Sequence, residues 1–156
     1  MKNTVDAVAP ALDETTIALG FQVAVSGAFV LLMVTIHGLG LLGISRLLKL
    51  NADQLKKRDL DFAAVLLVGT TGVLLFILHI MEIVVFAIFY IVVDRKVSDF
   101  ADALYYSAAA YATLGTTRGF IPTDWQLVGA LEALIGFVLI GWSTAFVART
   151  MSRLEA

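Results

Sequence analysis

Cysteine is absent from the sequence, and charged residues are scarce. Without cysteine, no disulfide framework, zinc–thiolate site or iron–sulfur cluster can form. Charged residues make up 15% of the 156 residues and hydrophobic residues 60%, with a mean hydropathy of +0.91. These values lie outside the range of soluble globular proteins and predict an integral membrane protein. The formal net charge of −2 gives no basis for a nucleic-acid partner.

Catalytic motifs are also missing. The sequence holds no nucleophile–base set, no phosphate-binding loop and no cytoplasmic stretch long enough for a ligand-sensing domain. Its first residues, MKNTVDAVAPALDETT, lack the basic start and immediate apolar core of a signal peptide, so we expect no cleaved leader. We predict a protein that is not an enzyme, carries no cofactor and has no dedicated soluble partner.

Long apolar runs are what the sequence has in abundance. Residues 21–44, 62–93 and 125–148 form three such runs, of which the second contains Glu82 and the third Glu132. At 1.5 Å rise per residue, each run exceeds a hydrocarbon core of roughly 30 Å. The sequence therefore predicts three transmembrane helices.

Basic residues indicate how these helices are oriented. Most of them fall in the segment 45–61 and in the C-terminal tail 149–156: Arg46, Lys49, Lys56, Lys57, Arg58, Arg149 and Arg153. The positive-inside rule predicts that both segments are cytoplasmic and that the N-terminal segment 1–20 lies outside. We expect the membrane to be the inner (plasma) membrane of a prokaryote.

A helix-forming segment between the second and third runs is too short to span comfortably. Residues 98–114 begin with Ser98 as a candidate cap, and Asp99 and Asp102 follow in the first turn. This helix would extend about 25 Å. If it crossed the membrane, the basic tail would lie outside, against the charge bias. We predict a re-entrant pore helix followed by a filter loop at 113–119; the alternative is a plain extracellular loop with an interfacial helix.

Non-helical backbone inside a membrane needs a physical reason. It is tolerated only where it is buried in protein or lines a watery cavity. The C-terminal end of a helix carries the negative end of its dipole, which favours a cation beyond it. A half-helix followed by extended polar backbone is therefore suited to replacing the hydration shell of a cation with carbonyl oxygens.

The run DALYYSAAAYATLG, residues 102–115, has an acidic residue before Ala-Leu, then the paired aromatics Tyr105 and Tyr106, then Ser107, and it ends in Thr-Leu-Gly. With the Pro122 and Trp125 that follow, it resembles the pore domain of the tetrameric potassium-channel superfamily. In that family the pore helix ends in the filter T-V-G-Y-G-D. The resemblance covers residues 62 to 148 and leaves the first apolar run outside it.

The resemblance implies a homotetramer in the lipid bilayer, with four filters around one axis and K⁺ or Na⁺ as the permeant ions. Residues 62–93 would be the outer helix and residues 125–148 the inner helix lining the vestibule. The carbonyl groups of Thr113, Leu114 and Gly115 would line the pathway. Two glycines of the inner helix have two open interpretations, as a hinge of the gate or as sites of close helix packing: Gly136 and Gly141.

The outer half of the filter departs from the family. Thr116, Thr117 and Arg118 stand where the family has Y-G-D. The family's second glycine takes a backbone conformation that a β-branched residue disfavours, and Gly119 is the next permissive position. We predict that the filter still runs from Thr113 to Thr117, but that its selectivity for K⁺ over Na⁺ is reduced or altered.

Arg118 needs explaining, because four arginines at the mouth of a tetramer would repel cations. We predict that it supports the filter from behind, together with Gly119, by pairing with Asp124 or with Glu132. An intramembrane carboxylate such as Glu132 itself needs a partner or a watery face. The alternatives are an arginine turned into the pore, where it would block or favour anions, and an arginine solvated at the membrane edge.

Two histidines and a carboxylate are further polar residues of the apolar runs. His79 and Glu82 are three residues apart on one helix face, a spacing that suits a metal site or a proton relay. Counted from the loop 45–61, His37 lies about 10 Å deep and His79 about 25 Å, which argues against a haem held by both. Glu82 and Glu132 lie at similar depths, so we predict a polar cluster of these two with His79.

The sequence thus predicts an all-α integral membrane protein with three transmembrane helices, a re-entrant pore helix and a filter loop. Its predicted function is that of a tetrameric pore-loop cation channel conducting monovalent cations. Two alternatives stay open: an intramembrane metal- or haem-binding redox protein, and a channel homologue that does not conduct. The polar cluster is a metal site, a proton- or voltage-sensitive group, or a structural network.

Overall fold

The computed structural model describes the backbone of residues 5–55, 60–93, 99–115 and 125–152, and the side chains of 19–48, 64–93, 99–115 and 125–152. Within these ranges the protein is all-helical and contains no strand. It has four α-helices in chain order: α1 Val5–Leu55, α2 Leu60–Val93, α3 Phe100–Tyr111 and α4 Gln126–Ser152. The all-α fold class is therefore confirmed for the described residues.

Three of the four helices have the length and the composition to cross a membrane. Their apolar parts are Leu19–Leu48 in α1, Ala64–Val93 in α2 and Gln126–Ser152 in α4. Many large apolar side chains on them are exposed, for example Leu31, Phe76 and Phe137. Lipid chains would cover such side chains, so the fold is consistent with an integral membrane protein.

The first helix is much longer than the apolar run that predicted it. α1 continues to Leu55, and α2 already begins at Leu60. Most of the segment 45–61, expected to be a loop, is therefore helical. The sequence explains this extension, because residues 44–60 contain neither glycine nor proline and are rich in leucine, lysine and arginine, which favour helix.

The short helix α3 lies between α2 and α4. Its twelve residues extend about 18 Å, well short of a hydrocarbon core. It begins one residue later than expected, since Asp99 rather than Ser98 is the N-cap and accepts a hydrogen bond from the Ala101 backbone N–H at 2.9 Å. Its buried residues are mostly small or hydroxyl-bearing: Ala103, Tyr106, Ser107, Ala109, Ala110 and Tyr111.

The buried interior divides into layers along the helices. One apolar cluster joins all four helices: Met33, Phe86, Tyr90, Tyr106, Val128, Ile135 and Leu139. A second cluster joins α1 and α2 on the side of the α1–α2 connection: Leu41, Ile44, Leu48, Leu67, Leu75 and Leu78. Polar side chains are buried along the same helices, including two glutamates, one histidine and one serine: Glu82, Glu132, His37 and Ser143.

Candidate functional site

Glu82 on α2 is the centre of a buried hydrogen-bonded group. His37 on α1 approaches it with Nδ1 2.9 Å from Oε1, and His79 on α2 with Nδ1 3.2 Å from Oε2. Glu82 and His37 are fully buried, whereas the side chain of His79 is 16% exposed. The predicted contact between His79 and Glu82 is confirmed, and His37 joins them.

Two hydroxyl groups complete the hydrogen bonding of this group. The Tyr111 hydroxyl, at the end of α3, donates to Glu82 Oε2 at 2.5 Å and lies 2.8 Å from His79 Nδ1. The Ser143 hydroxyl, on α4, lies 3.0 Å from His79 Nε2 and 3.3 Å from His37 Nε2. One polar group therefore connects all four helices, each of which contributes at least one side chain.

The prediction that His37 and His79 lie at different depths is wrong. Their ring centroids are 5.3 Å apart. The error comes from the assumed loop 45–61, which made the count start too early on α1. His37 is 18 residues from the end of α1 at Leu55, and His79 is 19 residues from the start of α2 at Leu60. At 1.5 Å per residue both therefore lie about 27–29 Å from the α1–α2 connection.

Glu132 on α4 has a separate set of partners. It accepts hydrogen bonds from Ser107 at 2.5 Å and from Tyr90 at 2.6 Å. The Ser107 hydroxyl also lies 2.8 Å from the carbonyl oxygen of Ile83. Instead of the single expected cluster of His79, Glu82 and Glu132, the structure has two polar groups, and α3 contributes a hydroxyl to each.

Two of the three α3 tyrosines, Tyr106 and Tyr111, are held as neutral hydroxyl groups. Burial raises the pKa of both Tyr106 and Tyr111 above the ordinary value for a phenol, and nearby carboxylates raise it further. A neutral phenol keeps its hydrogen and can act as a donor. The Tyr111 hydroxyl is therefore a lasting link between the end of α3 and Glu82.

The C-terminal end of α3 has the hydrogen bonds of a Schellman motif. The Thr113 N–H donates to the Ala110 carbonyl at 2.8 Å, and the Leu114 N–H donates to the Ala109 carbonyl at 2.9 Å. The residue at the turn is usually glycine because it takes a left-handed conformation. Here it is Thr113, with φ of 59°, and this conformation is strained for a β-branched residue.

The three residues that begin the predicted filter are exposed in the single chain. Thr113, Leu114 and Gly115 all lie on the surface, and Leu114 is 76% exposed. Gly115 also has a positive φ, 73°, whereas Leu114 between them does not. A cavity of about 410 Å³ lies beside this segment, lined in part by α4 residues Gly129 and Ala133.

One glycine of α4 is required by close packing against α3. A Cβ at Gly136 would collide with the carbonyl oxygen of Tyr111. By contrast, a Cβ at Gly141 would meet no heavy atom within 4 Å. α4 is helical through both positions. Of the two interpretations for this pair, close packing applies at Gly136, and the hinge stays a prediction.

Several predicted site residues lie outside the described part of the chain. They are the outer filter residues and their expected supports: Thr116, Thr117, Arg118, Gly119 and Asp124. The pairing of Arg118 with Asp124 or Glu132 therefore stays a prediction. The described partners of Glu132 are hydroxyl groups, as given above.

Sequence reasoning missed four of the hydroxyl-bearing partners. Ser107 and Tyr111 were read as parts of a family pattern, and Tyr90 and Ser143 were not singled out. For Tyr90 and Ser143 the sequence holds a usable signal, because a polar side chain within a long apolar run needs a buried partner. The four residues are Tyr90, Ser107, Tyr111 and Ser143.

Glu82 and its two histidine neighbours also meet the geometric requirement for a metal site. One ligand atom from each of His37, His79 and Glu82 lies within 4.8 Å of the others. Comparison of the chain with protein-family models, with curated proteins and with solved structures gave no match.

Proposed function

We propose that the protein is a homotetrameric pore-loop cation channel that conducts monovalent cations with weak discrimination between K⁺ and Na⁺. The observation that carries this proposal is the end of α3. A helix too short to span is buried between two long apolar helices and is followed by the exposed, strained segment Thr113–Gly115. Such backbone at membrane depth has a physical reason when it lines a watery pathway.

The hydrogen bonding of this segment favours a cation ligand over an anion ligand. The N–H groups of Thr113 and Leu114 are used to close the end of α3. The carbonyl oxygens of the segment lie at the negative end of the α3 dipole. Both features favour a positive ion, and rings of carbonyl oxygens are how pore-loop channels replace ion hydration.

A single chain gives only one wall of such a pathway. Leu114 is 76% exposed in the single chain, so its side chain is available for contact with a second copy. Four copies around an axis would place four Thr113–Gly115 segments opposite each other and would cover this face. The neighbouring small residues of α4, Gly129, Ala130 and Ala133, leave room for a second copy beside the end of α3.

Flux into proteoliposomes under separate K⁺, Na⁺ and Cl⁻ gradients tests the proposal. We expect comparable K⁺ and Na⁺ flux, no Cl⁻ flux and a tetrameric mass in detergent. Gly115→Ala should abolish flux, because alanine is strained at a φ of 73°. Gly72→Ala is the matched control: a Cβ there meets nothing within 4 Å, so flux should be unchanged.

A monomeric mass together with no cation flux from the wild-type protein would refute the proposal. Flux of Cl⁻ in preference to cations would do so as well. Strong selection of K⁺ over Na⁺ would be consistent with a channel, but it would refute the expectation that threonine and arginine in the outer filter reduce its selectivity.

A further inference from the structure

The hydrogen bonds around Glu82 need one more hydrogen than neutral histidines and the Ser143 hydroxyl can supply. A carboxylate only accepts hydrogen bonds, so Nδ1 of both His37 and His79 must carry a hydrogen toward Glu82. In a neutral imidazole, Nε2 is then an acceptor. Both Nε2 atoms face the Ser143 hydroxyl, at 3.3 and 3.0 Å, and this hydroxyl has a single hydrogen to donate. With both rings neutral, one of these two nitrogens is left without a donor.

We propose that His37, His79 and Glu82 bind a divalent transition-metal ion of the zinc class. With the ion bound on the Glu82 side, Nδ1 of each imidazole is a ligand and Nε2 of each carries the hydrogen. Both Nε2–H groups then donate to Ser143, whose oxygen has two lone pairs. The same contacts are then satisfied, and Ser143 becomes the outer-sphere residue that orients both histidine ligands.

The distances within the group are close to those of a metal site. Nδ1 of His37 and Nδ1 of His79 lie 2.9 and 3.2 Å from the oxygens of Glu82. A tetrahedral ion with bonds of about 2.0–2.2 Å separates its ligand atoms by about 3.3–3.6 Å, so small side-chain shifts suffice. The Tyr111 hydroxyl, 2.5 Å from Glu82 and 2.8 Å from His79, borders this site and donates to the carboxylate.

The donor set identifies the class of ion. Two imidazole nitrogens with one carboxylate suit zinc and its first-row neighbours, whereas magnesium and calcium prefer ligands that are all oxygen. Of the three ligands, His37 and Glu82 are fully buried and His79 is 16% exposed. The bound ion would cross-link α1 to α2, and this clamp does not depend on the proposed ion conduction.

Metal content of the full-length protein in detergent tests the proposal. After chelator treatment and dialysis against Zn²⁺, we expect about one ion per wild-type chain. Glu82→Gln and His79→Gln should lose this ion. Glu132→Gln is the matched control, because Glu132 is the other buried carboxylate but has hydroxyl partners, and it should retain the ion.

A second measurement covers the case in which the variants do not fold. Wild-type protein loaded with Co²⁺ should show the visible absorption of a low-coordinate cobalt site, and added Zn²⁺ should abolish it. Zn²⁺ should also raise the melting temperature of wild type, and Mg²⁺ should not. If wild type binds no more Zn²⁺ than Glu82→Gln, and Co²⁺ gives no such spectrum, the group holds a proton in place of a metal and the proposal is overturned. Neither readout uses ion flux, so a chain that does not conduct can still pass this test.

Discussion

Replacing Thr113 with glycine should stabilise the protein while it impairs the pore. Thr113 takes the position after α3 at which helices favour glycine, with φ of 59° and an exposed side chain. Its side chain therefore contributes little packing that the substitution could remove. A residue kept in a strained conformation without a packing benefit is an indication of function.

The size of the effect follows from two opposing terms. A left-handed conformation costs an ordinary residue about 1–2 kcal/mol, and glycine does not have this cost. Glycine loses about 0.5–1 kcal/mol through the greater freedom of its unfolded chain. We expect Thr113→Gly to raise the free energy of unfolding by about 0.5–1 kcal/mol, or the melting temperature by about 1–4 °C for a chain of this size.

Thermal unfolding in detergent, followed by circular dichroism, measures the first effect, and cation flux into proteoliposomes measures the second. Thr113→Ser separates the two contributions of the side chain, because serine retains the hydroxyl but not the branching methyl group. If the hydroxyl contacts the ion, Thr113→Ser should conduct and Thr113→Gly should conduct less. Gly115→Ala serves as the opposite control, since it adds strain at a φ of 73°.

A lower melting temperature for Thr113→Gly than for wild type would refute the argument from backbone strain. Full cation flux in the same variant would show that the threonine hydroxyl has no part in conduction. The two outcomes are independent, because the first concerns the backbone and the second the side chain.

Three further substitutions test the packing and the two polar groups by thermal unfolding. Gly136→Ala should cost about 1–3 kcal/mol because its methyl meets the Tyr111 carbonyl, whereas Gly141→Ala should not destabilise; equal effects would contradict the packing argument. Glu132→Ala should cost about 1–3 kcal/mol, since the buried Tyr90 hydroxyl loses this acceptor while Ser107 keeps the Ile83 carbonyl, and Glu132→Gln should cost less; the reverse order would contradict the role of Glu132 as acceptor. Tyr111→Phe should cost about 1–3 kcal/mol through the lost donor to Glu82, and a neutral result would remove Tyr111 from that group.

The long-range features of the fold could be predicted because they depend on composition. The three apolar runs that are long enough to span correspond to α1, α2 and α4. The short segment with an acidic start corresponds to α3. Helix ends were less predictable. Asp99 and Ser98 are both good caps, and only the structure distinguishes them.

Which residues join each polar group could not be predicted, because this depends on how far the helices are shifted along one another. One wrong loop assignment moved His37 away from Glu82, although the two are in direct contact. Tyr111 was treated as part of the pore helix pattern, and its hydroxyl contact with α2 was invisible in the sequence. Spacing along one helix predicted the contact of His79 with Glu82, because that contact is local.

The length of α1 has a mechanical consequence. At 51 residues the helix measures about 76 Å, more than twice the thickness of a hydrocarbon core. It stays helical for seven residues beyond the apolar part that ends at Leu48. α1 packs against both α2 and α4, and through His37 it contacts Glu82, the carboxylate that also accepts a hydrogen bond from Tyr111 at the last residue of α3. A tilt of so long a helix would therefore reach the end of α3 through one buried carboxylate.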